Sequence, residues 1–84
     1  SENVKEIISP MVGTFYRANA PGAEPCVSVG DVVNDETVVC IIEAMKIMNE
    51  VKAETAGEII DVYVNDGEAV EYGQPLFRVK PSTK

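Results

Sequence analysis

The sequence predicts an all-β domain made of two quasi-equivalent halves, and three observations lead there. Short β-type segments alternate with turns rich in Gly, Pro, Asn and Asp every several residues, the pattern of an all-β sandwich or barrel. No segment of useful length shows helical periodicity. The chain also repeats itself. Gly30-Asp31-Val32-Val33 aligns with Gly67-Glu68-Ala69-Val70, and Val39 and Ile42 align with Leu76 and Val79, all at an offset of 37. Ser9-Pro10-Met11-Val12-Gly13-Thr14-Phe15 aligns with Ala53-Glu54-Thr55-Ala56-Gly57-Glu58-Ile59 at an offset of 44. The difference places about seven extra residues in the first half, and the Pro/Gly-rich stretch after Tyr16 is their natural location.

Each element follows from local pattern. Residues 4–8 read as a short strand stopped by Ser9-Pro10, and residues 11–16 as a second, with Gly13 marking a bulge or a close backbone approach. Two prolines, a glycine and small residues make 17–25 a loop. Its prolines, Pro21 and Pro25, stiffen it, which suits a functional loop as well as a tolerated surface insertion. Residues 27–33 read as a strand interrupted at Gly30-Asp31, and Asn34-Asp35-Glu36 as a turn into a strand over 37–44. Beyond Lys46, Ile47, Asn49, Val51 and Ala53 alternate with Met48, Glu50, Lys52 and Glu54, a strand with one wet face. Thr55-Ala56-Gly57 turns into a strand over 58–64 whose Ile60, Val62 and Val64 are expected to share a face. Asn65-Asp66-Gly67 is a strong turn, Ala69-Val70 a brief strand, and 75–79 the last strand, with 81–84 as tail.

At 84 residues the chain is one domain, small but able to form a core without staples. Ser1 is not an initiator methionine and no charged-then-apolar leader is present, so residues 1–84 read as an excised C-terminal fragment of a longer chain. No stretch reaches the roughly 20 apolar residues of a membrane span. The 14 acidic and 7 basic side chains give a net charge of −7, spread along the chain. That balance argues against nucleic acid or anionic lipid as partners. Histidine is absent, which removes the commonest general base, the usual Ser and Cys pairings and most zinc sites. No metal site and no catalytic residue is assigned. Cys26 and Cys40 lack the spacing and further ligands of a redox or metal motif. Cys40 sits in an apolar run and reads as a core residue. Two lone cysteines fit a reducing compartment, with a Cys26–Cys40 disulfide as the alternative.

The middle of the chain breaks its own turn rules. Two strands meet at Met45-Lys46, where a two-residue hairpin turn needs positive φ and favours Asn-Gly, Asp-Gly or paired glycines. A place where local rules fail without compensation is a candidate functional site. An exposed lysine is almost wholly ammonium at neutral pH, and Glu43 and Glu50 favour that form, so Lys46 is a poor nucleophile and an implausible Schiff-base catalyst. It suits modification by an external enzyme that brings an activated acyl group, because a hairpin tip presents the amine clear of steric interference. Met45 and Met48 add adaptable apolar surface that a partner can grip.

Glu43-Ala44-Met45-Lys46-Ile47-Met48 resembles the Ala-Met-Lys-Met signature of biotinyl domains, with Ile47 where the signature most often has Met. The likeness runs over residues 7–79, and Ser9-Pro10-Met11-Val12-Gly13-Thr14-Phe15-Tyr16 is similar to the opening of the biotin carboxyl carrier domains of bacterial and plastid acetyl-CoA carboxylases. The resemblance implies a flattened β-barrel of two four-stranded antiparallel sheets with quasi-twofold symmetry, a barrel-sandwich hybrid carrying the lysine on a hairpin turn. It implies a thumb inserted in the first half, here Ala18, Asn19, Ala20, Pro21, Gly22, Ala23, Glu24 and Pro25, lying near the cofactor. It further implies a non-catalytic carrier. Biotin protein ligase would join biotin to Lys46, reading Glu43, Ala44, Met45, Ile47 and Met48. Biotin carboxylase would use ATP and bicarbonate to carboxylate the ureido nitrogen, and carboxyltransferase would pass the carboxyl group to acetyl-CoA, giving malonyl-CoA for fatty-acid synthesis. The chemistry belongs to the cofactor and the protein supplies tethering and presentation. The implied setting is the bacterial cytoplasm or the plastid stroma, with the isolated domain a monomer. The alternatives are the carrier domain of another biotin-dependent carboxylase, a lipoyl carrier, whose tip typically reads Asp-Lys-Ala, and an unmodified docking module.

Overall fold

The structure, a computed structural model, describes residues 4–82; Ser1 and the tail residues Thr83 and Lys84 lie outside them. Eight strands run in chain order: β1 Lys5–Ile8, β2 Gly13–Tyr16, β3 Val32–Val33, β4 Val38–Ala44, β5 Ile47–Lys52, β6 Gly57–Val62, β7 Ala69–Val70 and β8 Pro75–Pro81. They form two four-stranded sheets in the orders β1-β8-β6-β3 and β5-β4-β2-β7, and every pairing is antiparallel. The offset of 44 carries β1 and β2 onto β5 and β6, and the offset of 37 carries β3 and β4 onto β7 and β8. The two sheet orders therefore correspond position by position, as the expected quasi-twofold symmetry requires.

The repeated glycines show why the repeat exists. A Cβ on Gly13 would collide with the Glu43 carbonyl, and one on Gly57 with the Lys80 carbonyl. These are repeat mates, each bringing its strand against a neighbour more closely than any side chain permits. Between the sheets lies one core including Phe15, Val39, Ile42, Ile59, Leu76, Phe77 and Val79. Phe15 and Phe77, one from each sheet, meet at 5.9 Å between ring centroids with planes tilted by 50°, a favourable aromatic geometry.

The symmetry also sets the poles of the body, which measures 39 × 25 × 20 Å. The β4–β5 turn stands at one pole beside Gly13. β5 then carries the chain to Gly57, which abuts Lys80 and Pro81. Lys5 pairs with Val79, so β1 begins where β8 ends, at the pole remote from the turn.

Several sequence expectations need correction. The strand over 27–33 shrinks to Val32–Val33. The Asp31 carboxylate accepts from the Ser28 N–H at 2.9 Å, the Asp31 N–H donates to the Ser28 carbonyl at 3.0 Å, and Gly30 has φ +99°. This closed turn uses the backbone groups a strand would need. The inward face of β6 is also not Ile60, Val62 and Val64. Ile59 is fully buried and Ile60 only half-buried, because the register against β8 slips between Ile59 and Asp61. The extra residue reverses the alternation, so Ile59 joins Val62 and Val64 at the core. The last strand runs on to Pro81, which pairs with Gly57 instead of starting the tail. Cys26 and Cys40 are both free thiols.

Candidate functional site: the lysine hairpin and its thumb

β4 and β5 pair without interruption from Cys40 and Val51 up to Ala44 and Ile47, leaving Met45 and Lys46 as the two turn residues. Their φ values are +53° and +69°. Both are left-handed, the requirement of the I′ turn that matches strand twist, and neither residue is a type that adopts it readily. Turn strain inferred from residue identity is thus present in the backbone. Met45 is 93% exposed, Ile47 61% and Met48 52%. Lys46 is exposed and, among the described residues, makes no ion pair or hydrogen bond. Glu43 and Ala44 are half-buried at the shoulder of the tip. An amine held on a rigid hairpin, with flexible apolar side chains on either side, can be acylated by a second protein that reads the surrounding surface.

The thumb is a small hairpin of its own. Ala18 and Pro25 form an isolated antiparallel bridge, and the Ala23 N–H donates to the Ala20 carbonyl at 3.1 Å across Pro21-Gly22. Proline followed by glycine at φ +79° is a type II turn, so the residues that identified a loop also specify its shape. Its root is clamped. The Arg17 N–H donates to the Asp66 carboxylate at 2.7 Å, the Arg17 guanidinium donates to the Val27 carbonyl at 3.0 Å, and the Cys26 N–H donates to the Arg17 carbonyl at 2.7 Å. Between thumb and hairpin lies a groove of about 510 Å³, lined by thumb residues, by Glu43 and Met48 from the hairpin, and by Tyr16, Arg17 and Asp66. Glu24 does not line it, nor do Ala44, Met45, Lys46 or Ile47. The structure therefore joins the thumb to two of the five residues flanking the lysine.

Sequence reading missed Tyr16, Arg17, Asp66 and Asn49. Arg17 and Asp66 are 49 positions apart, and only the fold brings them together. Asn49 left a signal, being the one polar residue on the inward face of its strand. Ile41 is buried although it lies outside the core cluster, whereas its repeat mate Arg78 is exposed. The half that carries the thumb has an apolar residue where the other half is charged. Burial pushes the Cys40 thiol up to about 12 and also raises that of Cys26, so neither is an activated nucleophile.

Residues 5–79 match the family described as "Biotin-requiring enzyme". The chain belongs to that family. Its curated relatives include the biotin carboxyl carrier protein of acetyl-CoA carboxylase from Nostoc sp., 55% identical over 95% of this chain and 44% of the relative. The protein of the same name from Porphyra purpurea is 52% identical over 95% and 51%. The chloroplastic carrier protein 1 of Arabidopsis thaliana is 49% identical over 87% and 26%. This family member thus spans about half the length of those relatives, or less. Among solved structures it superposes on part of a single-chain, multi-domain long-chain acyl-CoA carboxylase with TM-score 0.82 at 20% identity, covering 98% of this chain and 8% of that one. It also superposes on part of the Kluyveromyces lactis urea carboxylase with TM-score 0.76 at 28% identity, covering 94% and 6%. Among the described residues, no helix is long and apolar enough to cross a membrane.

Proposed function

We propose that this chain is the carrier domain of an acetyl-CoA carboxylase, with biotin attached to Lys46 and no catalytic residue of its own. The observation that carries the reading is the strained two-residue tip, where Met45 and Lys46 both take positive φ with Lys46 exposed. A fold indifferent to the lysine would place Asn-Gly there. The donor set fits the cofactor: a primary amine free of partners among the described residues can form one amide, and a groove of about 510 Å³ beside the hairpin is of ligand-pocket size. When attached, biotin supplies a ureido nitrogen that can accept a carboxyl group and release it to acetyl-CoA.

The protein's own part is presentation. Lys46 contributes the amine and loses one positive charge on acylation. Met45, Met48 and Ile47 provide the apolar surface, and Glu43 and Ala44 the shoulder, by which biotin protein ligase recognises the tip. The thumb, residues 18–25, borders the space into which a tethered group folds back, and limits its freedom. The partners are that ligase, biotin carboxylase and carboxyltransferase, in the cytoplasm of a bacterium or the stroma of a plastid, and the isolated domain is monomeric. The relatives' names favour acetyl-CoA carboxylase over another biotin-dependent carboxylase, and Met45 and Ile47 beside the lysine disfavour lipoylation.

Co-expression with a biotin protein ligase and free biotin, followed by intact-mass measurement, tests the proposal. One biotin adduct that disappears in Lys46→Arg is expected. A lipoyl adduct, no adduct, or avidin capture of Lys46→Arg overturns it. Malonyl-CoA formation with added biotin carboxylase and carboxyltransferase then tests the acetyl-CoA assignment.

A further inference from the structure

The strained tip needs something to hold it. Non-glycine residues in the left-handed region persist only where the surroundings over-determine them, yet Met45, Lys46, Ile47 and Met48 are all exposed, so side-chain packing at the tip does not do so. Below the turn, Asn49 is half-buried on the inward face of β5, the face that continues with the buried Val51 and Ala53. The strand's alternation calls for an apolar residue there. Instead, the Asn49 Nδ2 amide donates to the Ile42 carbonyl on β4 at 3.2 Å and to the Ile47 carbonyl on β5 at 3.1 Å. Ile47 is the residue that follows Lys46, and Ile42 is the cross-strand partner of Asn49. One carboxamide thus bridges both strands directly beneath the turn, using both of its N–H groups.

The quasi-twofold symmetry argues that the fold itself does not need this bridge. The repeat mate of Asn49 is Lys5, which is exposed on the edge of the other sheet. Of the two repeat-related positions, the device stands at the one beneath the lysine.

We propose that Asn49 is a positioning residue for the covalent modification of Lys46, its amide holding the two-residue turn in the left-handed conformation that presents the amine. The proposal rests on the reading of Lys46 as an acceptor of an activated acyl group. Ligase recognition of the exposed tip surface and placement of the amine at the acyl carbon are separable. Loss of the bridge leaves Glu43, Ala44, Ile47 and Met48 of the recognised surface on their strands and moves the turn that carries the nucleophile. Small misplacements of a reacting atom are expensive in rate.

The test uses Asn49→Asp, which keeps the shape and removes the donor, and Asn49→Gln, which keeps the carboxamide. Steady-state biotinylation of each purified domain is measured with a bacterial biotin protein ligase, biotin and ATP, varying the domain concentration. The expected result for Asn49→Asp is a kcat lower by roughly tenfold or more with KM for the domain within about twofold, and partial recovery of kcat in Asn49→Gln. NMR three-bond HN–Hα couplings and chemical shifts of Met45 and Lys46 are expected to show averaging away from positive φ in Asn49→Asp and not in the wild type. If Asn49→Asp does not fold, Asn49→Ser, which also removes the amide, carries the same measurements. A wild-type kcat, a loss confined to KM, or unchanged turn couplings overturns the proposal. A wild-type domain that accepts no biotin would instead sink the carrier reading, and the couplings alone would then decide the role of Asn49.

Discussion

Replacing the tip by the turn its backbone asks for, Met45→Asn with Lys46→Gly, should make the domain more stable while abolishing modification. A left-handed conformation costs a non-glycine L-residue roughly 1–2 kcal/mol, and two such residues stand side by side at φ +53° and +69°. Glycine removes that strain at position 46 but adds unfolded-state freedom worth about 0.4–1 kcal/mol. Asparagine tolerates the conformation and removes part of the strain at position 45. Little is lost with the Met45 side chain, which is 93% exposed. The net expectation is a gain of about 1 kcal/mol, corresponding to a rise in Tm of about 4–8 °C for a domain of this size. Thermal unfolding by circular dichroism and urea titration at pH 7 read it directly, with an unchanged m value showing that the surface exposed on unfolding is the same. A Tm equal to or below that of the parent would refute the reasoning, because the tip would then not be a place where stability is given up for presentation.

Further outcomes follow from the same geometry. Lys46→Arg should change stability by less than about 0.5 kcal/mol, since it alters an exposed position, while intact mass shows no adduct. Gly57→Ala drives a Cβ into the Lys80 carbonyl and Gly13→Ala into that of Glu43; each should destabilise by about 1–3 kcal/mol, measured by urea titration, and equal stability to the parent would contradict the close approaches. Cys40 is held neutral in the fold up to about 12, against 9.0 for the ordinary thiol. The unfolded chain therefore releases this proton first as pH rises, and stability falls between those values by up to about 1.4 kcal/mol per pH unit. A Cys40→Ala variant should show a shallower fall over pH 9–11, and parallel curves would dismiss the effect. Sedimentation equilibrium should give a monomer, and a tight dimer would reverse that assignment. Deleting residues 18–25 should raise the mobility of the attached group in NMR relaxation, and unchanged mobility would remove the thumb from the site.

Most of the architecture could be read before folding because it is written twice. The offsets of 44 and 37 located the paired halves and the inserted thumb, and Met45-Lys46 announced itself as a turn with the wrong residues. Gly13 stood out inside its strand, while Gly57 read as a turn residue until the fold set it against Lys80. What escaped has a physical reason in each case. The slip between Ile59 and Asp61 is a one-residue adjustment against β8, invisible until the partner strand is known, and it inverts which isoleucine is inside. Ser28–Asp31 looked like a strand because valines flank it, yet the Asp31 carboxylate closes it into a turn. The Arg17–Asp66 clamp spans the two halves, so no local pattern encodes it. Asn49 was visible as a polar residue on an inward face, but its two acceptors are backbone carbonyls that have no side-chain signature.

Where β1 begins and β8 ends bears on how far the amine can travel. A segment joined ahead of Lys5 or beyond Pro81 enters at the pole remote from Lys46, so the body of the domain lies between the joint and the amine. On the proposed carrier reading, the folded domain thereby acts as a stiff boom. Rotation about the joint sweeps the lysine through an arc set by the length of the body, and the flexible side chain only makes the final approach. Two active sites too far apart for a lysine-linked group alone can then be served by pivoting the domain. Shortening a flexible linker should accordingly impair transfer between sites before it impairs attachment, which needs only the tip.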